Sequence, residues 1–183
     1  MKKLKTIQNI NSIKKFRFPT FNDGRGSFSK LFSKKKLKIH KVNFNIKQIN
    51  FSSNKKRGTL RGMHFQDKPM NDYKIVICLE GQIYDVIVNL KKSSKYYLKH
   101  YVFTLDGKKK DCLFIPKGYA HGYQTLTSNT KLLYIHSEEY YKKYDKGINP
   151  FDEIINIRWP IKVTSISIKD KNFRKIDKKF KGL

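Results

Sequence analysis

The sequence predicts an all-β fold, an antiparallel sandwich or barrel with a few short helices. Two observations carry this. Short runs of alternating apolar and polar residues recur along the chain, separated by turn residues at the spacing of such folds. Tyr and Phe are abundant, 11 and 13 of 183 residues, and both favour pleated sheet over helix. With 38% hydrophobic residues, a chain of this length is expected to form one domain, residues 1–183, with a sizeable core.

Taken in order, residues 38–49 alternate, with Ile39, Val42, Phe44 and Ile46 at the apolar positions. Residues 73–79 read as a strong strand. Gly81-Gln82 interrupts it and residues 83–90 resume it, a pattern expected of a hairpin. Within 83–90, Asp85 and Asn89 share a face with Ile83 and Ile87, while Tyr84, Val86, Val88 and Leu90 take the other. An acid in mid-strand is expensive to bury alone, so Asp85 either faces water or meets a partner such as a histidine. Residues 97–105, 113–115 and 132–136 continue the strand pattern. Helical turns are expected only around 28–32 and 138–144. The last twenty residues are Lys-rich, with Ile and Phe scattered among them.

The chain carries 41 basic residues against 14 acidic ones, a net charge of +27. Such a field attracts polyanions and anionic small molecules. The lysines are spread along the whole chain rather than gathered in a stripe, so the charge alone is weak evidence for nucleic-acid binding. Cys78 and Cys112 each sit in an apolar run and are expected to be buried, reduced thiols. The first residues, Met1-Lys-Lys-Leu-Lys-Thr, lack the apolar run of a signal peptide, and no stretch of about 18 apolar residues occurs. A cytoplasmic protein without a membrane span is expected.

Two segments carry chemistry. Residues 57–66 read Arg-Gly-Thr-Leu-Arg-Gly-Met-His-Phe-Gln and place Arg61 three residues before His64. Residues 115–122 read Ile-Pro-Lys-Gly-Tyr-Ala-His-Gly and supply His121. Two histidines on a β scaffold, with cations close by, point to proton chemistry on an anionic substrate. Pro116 to His121 also has the Pro-x-Gly-x-x-His spacing of the second cupin motif. A metal-binding cupin pairs it with His-x-His, whereas this chain offers only His64-Phe-Gln66. A metal site needs three or four protein ligands. The histidines are few: His40, His64, His100, His121 and His136. A cupin-like barrel with no required metal is therefore expected.

These motifs do not stand alone. Asp23-Gly-Arg-Gly26, Gln48-Ile-Asn50, Leu60-Arg-Gly-Met-His-Phe-Gln66, Lys74, Gly81-Gln-Ile-Tyr-Asp-Val86, the 115–122 segment, Leu133-Tyr134 and Trp159-Pro160 occur in order. Together they resemble the dTDP-4-dehydrorhamnose 3,5-epimerase family of the cupin superfold, from about residue 21 to about residue 170. The resemblance implies a cupin-type jelly-roll barrel. It implies a cofactor-free isomerase that removes and returns protons at C3 and C5 of dTDP-4-dehydro-6-deoxy-D-glucose, giving dTDP-4-dehydro-L-rhamnose for dTDP-L-rhamnose formation.

By the same resemblance, His64 is the base, Asp170 the carboxylate that orients it, Tyr134 the acid on the opposite face and Lys74 the cation at the sugar O4. Asp170 is set in a basic, weakly patterned tail, where an aspartate is otherwise a solvated surface residue. Lys74 opens an apolar strand, where a lysine also serves as an edge solubiliser. His121 and Asp85 match a second pair near the sugar. Arg61 and Arg25 match residues that hold the diphosphate, for which guanidinium offers bidentate contacts. Phe28 and Tyr140 are candidates for stacking on the base, and Gln48, Asn50 and Gln66 for amide contacts. A homodimer with exchanged N-terminal strands is also implied. Asn89, Lys146, Pro150-Phe151 and Tyr123 depart from the family pattern and bear on which sugar is used and how many carbons are inverted. Three other readings stand beside this one: a single-carbon epimerase acting on another nucleotide sugar, a cupin-like binding protein without turnover, and a metal-dependent cupin enzyme.

Overall fold

The computed structural model describes residues 5–39 and 44–183. Among these residues thirteen strands and two short helices follow in order: β1 Lys5–Ile10, β2 Ile13–Arg17, β3 Thr20–Asp23, β4 Gly26–Ser29, α1 Lys34–Ile39, β5 Gln48–Asn54, β6 Leu60–Gln66, β7 Lys74–Glu80, β8 Gln82–Asn89, β9 His100–Asp106, β10 Asp111–Ile115, β11 Tyr119–Thr125, β12 Thr130–His136, β13 Asp145–Gly147 and α2 Ile168–Lys171. A six-stranded sheet runs β1-β2-β10-β7-β12-β5 and a five-stranded sheet runs β13-β6-β11-β8-β9. β3 and β4 form a separate hairpin. The paired strands are antiparallel, as the composition and spacing predict.

The two faces read from residues 83–90 are the two sides of β8. Ile83 and Ile87 pack between the sheets with Phe103, Leu105, Leu113 and Leu132. Val86, Val88 and Leu90 pack on the outer side with Met63, Ile148 and Ile155, and Tyr84 packs against them. The outer layer is completed by the scattered apolar residues of the tail, Ile176, Phe180 and Leu183. Each fully buried aliphatic or aromatic side chain contributes about 1.5–3 kcal/mol. The inner cluster therefore outweighs the several kcal/mol that one buried carboxyl costs. Asp85, at 0% exposure, is tolerated there because His121 Nε2 lies 2.8 Å from its Oδ2.

Three expectations are corrected. The described residues of 38–49 do not form one strand. Lys34–Ile39 is helical, and its run of straight-chain lysines around Leu37 suits a helix. Leu37 is 1% exposed and anchors the turn in the core. Residues 44–47 are irregular, with Phe44 buried and Ile46 exposed, and the strand begins only at Gln48. His40 and Val42 lie outside the described residues. Residues 73–90 do not form a hairpin, because β7 and β8 belong to opposite sheets. The chain crosses between them at Gly81, which has φ +75° and where a Cβ would meet Thr127 Oγ1 and Thr130 Oγ1 at 2.5 Å. Residues 28–32 are not a helical turn, since Phe28 lies in β4. The turn expected near 138–144 is present as a single bend, in which Asp145 donates its N–H to the Tyr141 carbonyl at 3.0 Å.

Among the described residues no helix is long and apolar enough to cross a membrane. Cys78 and Cys112 are free and buried. Burial first, then the Asp106 and Asp111 carboxylates, pushes the Cys78 thiol up to about 12.

Candidate active site

A cavity of about 660 Å³ opens between the two sheets, a size suited to a small-molecule ligand. The segment around His64 is shaped by two glycines. Gly62 has φ +128°, and a Cβ there would stand 2.5 Å from the Cα of Gly122 on β11. Only bare backbones approach so closely, and the β6–β11 register shifts between His121 and Tyr123 beside this point. His64 and His121 are consequently cross-strand partners, and both line the cavity.

His64 Nε2 lies 3.2 Å from Asp170 Oδ1. The other oxygen of Asp170 accepts the Gly62 N–H at 2.9 Å. Asp170 sits in the one-turn helix α2, where Ser167 Oγ caps its backbone N–H at 3.0 Å. It is 4% exposed, not a solvated surface residue. Burial pushes its carboxyl up, but the His64 imidazole and the Gly62 N–H outweigh burial, so its pKa lies below the ordinary value. The carboxylate is ionised at neutral pH and accepts from Nε2–H, which leaves Nδ1 of the neutral imidazole unprotonated. Phe173 closes one side of the ring edge-on, with centroids 5.2 Å apart.

Tyr134 enters from the opposite sheet, on β12, and its ring lies edge-on to His121 at 6.2 Å. Burial first, then the neighbouring Tyr123 phenol and the Asp85 carboxylate, raises the Tyr134 pKa well above its usual value. Lys74, the first residue of β7, is only 9% exposed and its Nζ lies 3.7 Å from Asp72 Oδ1. It lines the cavity and does not serve as an edge solubiliser. Burial raises the pKa of Asp85, which stands behind His121 with its Oδ1 unpartnered.

Gln48, Asn50, Arg61, Gln66 and Tyr140 also line this cavity. The Nε of Arg61 donates to Asn54 Oδ1 at 2.9 Å. Tyr140 is 54% exposed and donates its hydroxyl to Asp145 Oδ2 at 3.0 Å. Arg25 and Phe28 are not brought in. They sit on the β3–β4 hairpin, where Arg25 pairs with Asp23 at 2.7 Å and Phe28 is 69% exposed. The hairpin forms its own two-stranded sheet, separate from both large sheets, and neither side chain is among the residues that line the cavity.

Some lining residues were not singled out from the sequence. His136 lies two residues beyond Tyr134, so strand alternation places both on one face, and that signal was legible. Asp72 and Asp145 lie beside strands β7 and within β13 and carry no sequence signal of a role. Among the described residues no three His, Cys, Asp or Glu side chains are grouped to hold a metal ion.

Two packed antiparallel sheets enclosing a cavity, with the Pro-x-Gly-x-x-His segment leading into the inner strand β11, are the architecture of the cupin-type jelly-roll barrels, and imidazole, phenol and ammonium groups line the cavity of this one. The chain belongs to the dTDP-4-dehydrorhamnose 3,5-epimerase family, whose sequence model matches residues 7–178. It is 36% identical over 163 residues to the dTDP-4-dehydrorhamnose 3,5-epimerase of Shigella flexneri, covering 87% of this chain and 88% of the relative. The crystal structure of the Bacillus anthracis dTDP-4-dehydrorhamnose 3,5-epimerase with TDP and PPi bound superposes with a TM-score of 0.91 at 33% identity, covering 94% of this chain and 99% of that one. The dTDP-6-deoxy-D-glucose-3,5-epimerase of Legionella pneumophila, in complex with dTDP-4-keto-L-rhamnose, superposes at 0.83 with 29% identity, covering 91% and 88%.

Proposed function

We infer that this chain is an isomerase that inverts C3 and C5 of dTDP-4-dehydro-6-deoxy-D-glucose, giving dTDP-4-dehydro-L-rhamnose in dTDP-L-rhamnose biosynthesis. The observation that carries this reading is the placement of His64 and Tyr134 on opposite sheets around one cavity. Inversion at carbon needs a proton taken from one face of a ring and another returned to the other face.

We propose that His64 Nδ1 takes the hydrogen beside the 4-keto group. Imidazole both accepts and releases a proton readily near neutral pH, which suits reversible transfer, and Asp170 stabilises the imidazolium that forms. The electron pair moves onto the keto oxygen, where the Lys74 ammonium meets it. Tyr134 then gives its proton to the carbon from the far face and is reprotonated from solvent, as His64 is deprotonated to solvent. The cycle is repeated at the second carbon. His121, backed by Asp85, lies beside the sugar, Arg61 holds the diphosphate, and Tyr140 stacks on the base, with Gln48 and Asn50 alongside. The nucleotide ligands bound by the Bacillus anthracis and Legionella pneumophila relatives support a dTDP-linked substrate.

We further propose one domain acting as a cytoplasmic homodimer, in which exchanged N-terminal strands bring Arg25 and Phe28 to the partner's cavity. The exposed hairpin supports this, as do Ile49 and Phe51, 55% and 60% exposed on the edge strand β5.

The experiment is incubation with the 4-keto sugar nucleotide in heavy water, followed by NMR. Deuterium should enter at both carbons with the wild-type chain and at neither with His64→Asn. Unchanged exchange in the variant would remove His64 as the base, and no exchange in the wild-type chain would remove the enzymatic reading.

A further inference from the structure

A third aspartate–histidine pair lies in the cavity wall, apart from the two already described. Asp72 Oδ2 is 2.7 Å from His136 Nδ1, and Asp72 Oδ1 is 3.7 Å from Lys74 Nζ. The Asp72 side chain is 4% exposed and that of His136 is 16% exposed. His136 stacks on Tyr134, with ring centroids 6.1 Å apart and planes at 19°. His136 and Lys74 are also cross-strand partners between β12 and β7. Asp72 therefore lies between two cationic or donor groups that the strand register holds in place.

The hydrogen bonds on the other side of His136 fix its tautomer. Gln48 Oε1 accepts the Tyr140 N–H at 2.7 Å, which orients the Gln48 amide. Its Nε2 then donates to Asn50 Oδ1 at 2.8 Å. With Oδ1 occupied, Asn50 turns its NH2 toward His136 Nε2 at 3.4 Å. A donor facing Nε2 requires a lone pair there, so His136 carries its proton on Nδ1 and gives it to the Asp72 carboxylate. The polarity is then the same along the whole wall: Tyr140 N–H to Gln48, Gln48 to Asn50, Asn50 to His136, His136 to Asp72, and the Lys74 ammonium facing the far oxygen. Burial pushes the Asp72 carboxyl up, but Lys74 and His136 outweigh burial and hold it below its ordinary value.

We propose that His136 and Asp72 are positioning residues for Lys74, and that the directed chain from Tyr140 through Gln48 and Asn50 locks them in the neutral, Nδ1-protonated arrangement. The pair acts on the reaction through Lys74, so this inference rests on the epimerase reading given above. One end of the chain borders the place proposed for the nucleobase and the other end borders the group proposed to meet the keto oxygen. Lys74 has a flexible stem and a point charge. A carboxylate aimed by His136 restricts where that charge stands, and a cation held in advance costs no reorganisation when negative charge develops.

The test uses three variants of the full chain and two readouts. His136→Phe keeps an aromatic ring against Tyr134 but removes the donor to Asp72. His136→Asn restores an N–H near the position of Nδ1. Asp72→Asn removes the charge that faces Lys74. Deuterium exchange from the 4-keto sugar nucleotide should show kcat lower by about tenfold for His136→Phe and Asp72→Asn, with KM close to wild type and circular dichroism unchanged, and most of the rate regained in His136→Asn. Rates equal to wild type in His136→Phe would overturn the proposal. So would equal losses in His136→Phe and His136→Asn, which would indicate a packing role. Independently of turnover, the 15N spectrum of histidine-labelled protein should show His136 protonated at Nδ1 and bare at Nε2 at neutral pH. The opposite tautomer would overturn the directed chain even in an active enzyme. A wild-type chain that shows this tautomer but exchanges no deuterium would instead sink the epimerase reading and the role in catalysis together.

Discussion

Asp170 Oδ1 stands 3.2 Å from His64 Nε2, while the second oxygen of the same carboxylate is tied to the Gly62 N–H two residues earlier on the strand that bears the histidine. One side chain thus fixes both the imidazole and the backbone that carries it.

This geometry makes Asp170→Asn an informative change. An amide keeps the shape but loses the charge that stabilises an imidazolium. We expect kcat for deuterium exchange to fall by about a hundredfold or more, with circular dichroism unchanged. A loss below about threefold would show that His64 does not depend on the carboxylate.

Tyr134→Phe is expected to leave nucleotide-sugar affinity near wild type while epimerisation is strongly reduced. The raised pKa of Tyr134 adds a pH prediction. A phenol that titrates well above its usual value stays protonated through the neutral and mildly alkaline range. Activity should therefore show no alkaline limb from loss of the Tyr134 proton below about pH 10. Such a limb, absent in Tyr134→Phe, would contradict the burial that raises it.

Acid should destabilise the fold through Asp72 and Asp170. Both carboxyls have folded pKa values below their unfolded ones. Their contribution is fully present above the unfolded value, about 3.9, and is lost as pH falls through the folded values. Asp85 is raised and works in the opposite sense, becoming less costly as it gains a proton. Urea midpoints measured between pH 6 and pH 3 should therefore fall toward acid, and Asp170→Asn should flatten the fall. A slope identical in that variant would show that Asp170 takes no part.

Gly62→Ala should be severe. The added Cβ meets backbone at 2.5 Å, and the φ of +128° is one that L side chains rarely adopt. A loss of about 2 kcal/mol or more is expected from the strain. The deflected strand should also carry His64 away from Asp170. Calorimetry and exchange rates measured on the same sample would check both effects.

The thiols offer a check on burial. Cys78, raised to about 12, and Cys112, raised as well, should not react with a thiol reagent at pH 8 until the protein unfolds. Rapid modification of the native protein would show that the sheet packing around β7 and β10 opens.

Much of this was legible in the chain and some was not. The alternation in residues 83–90 gave both faces of β8, because period-2 patterning is local and each face meets a different environment. The same reasoning failed at 73–90 as a whole. A glycine at a corner looks the same in sequence whether the strands stay in one sheet or change sheets, and only the long-range partners of β7 and β8 decide it. At Lys34–Ile39 local helix preference around Leu37 prevailed over the alternation, and of the described residues 44–49 only Gln48 and Ile49 join a sheet. His64, Tyr134, Lys74 and Asp170 were found through ordered family motifs, which carry spacing information that no single residue holds. Asp72 and Asp145 escaped because an acid beside a strand end is ordinary until the opposite wall is known.

The imidazole is oriented from a distant part of the chain, since Asp170 lies 108 residues beyond the Gly62 N–H that it also holds. Asp170 and Phe173 reach it from α2 and the turn after it, and Ile176, Phe180 and Leu183 pin the following segment onto the five-stranded sheet. A growing chain on the ribosome thus holds the His64 ring unaligned until the segment from Ser167 to Phe173 has been synthesised, and a product terminated before Ser167 would fold its strands around a histidine without its Asp170 partner.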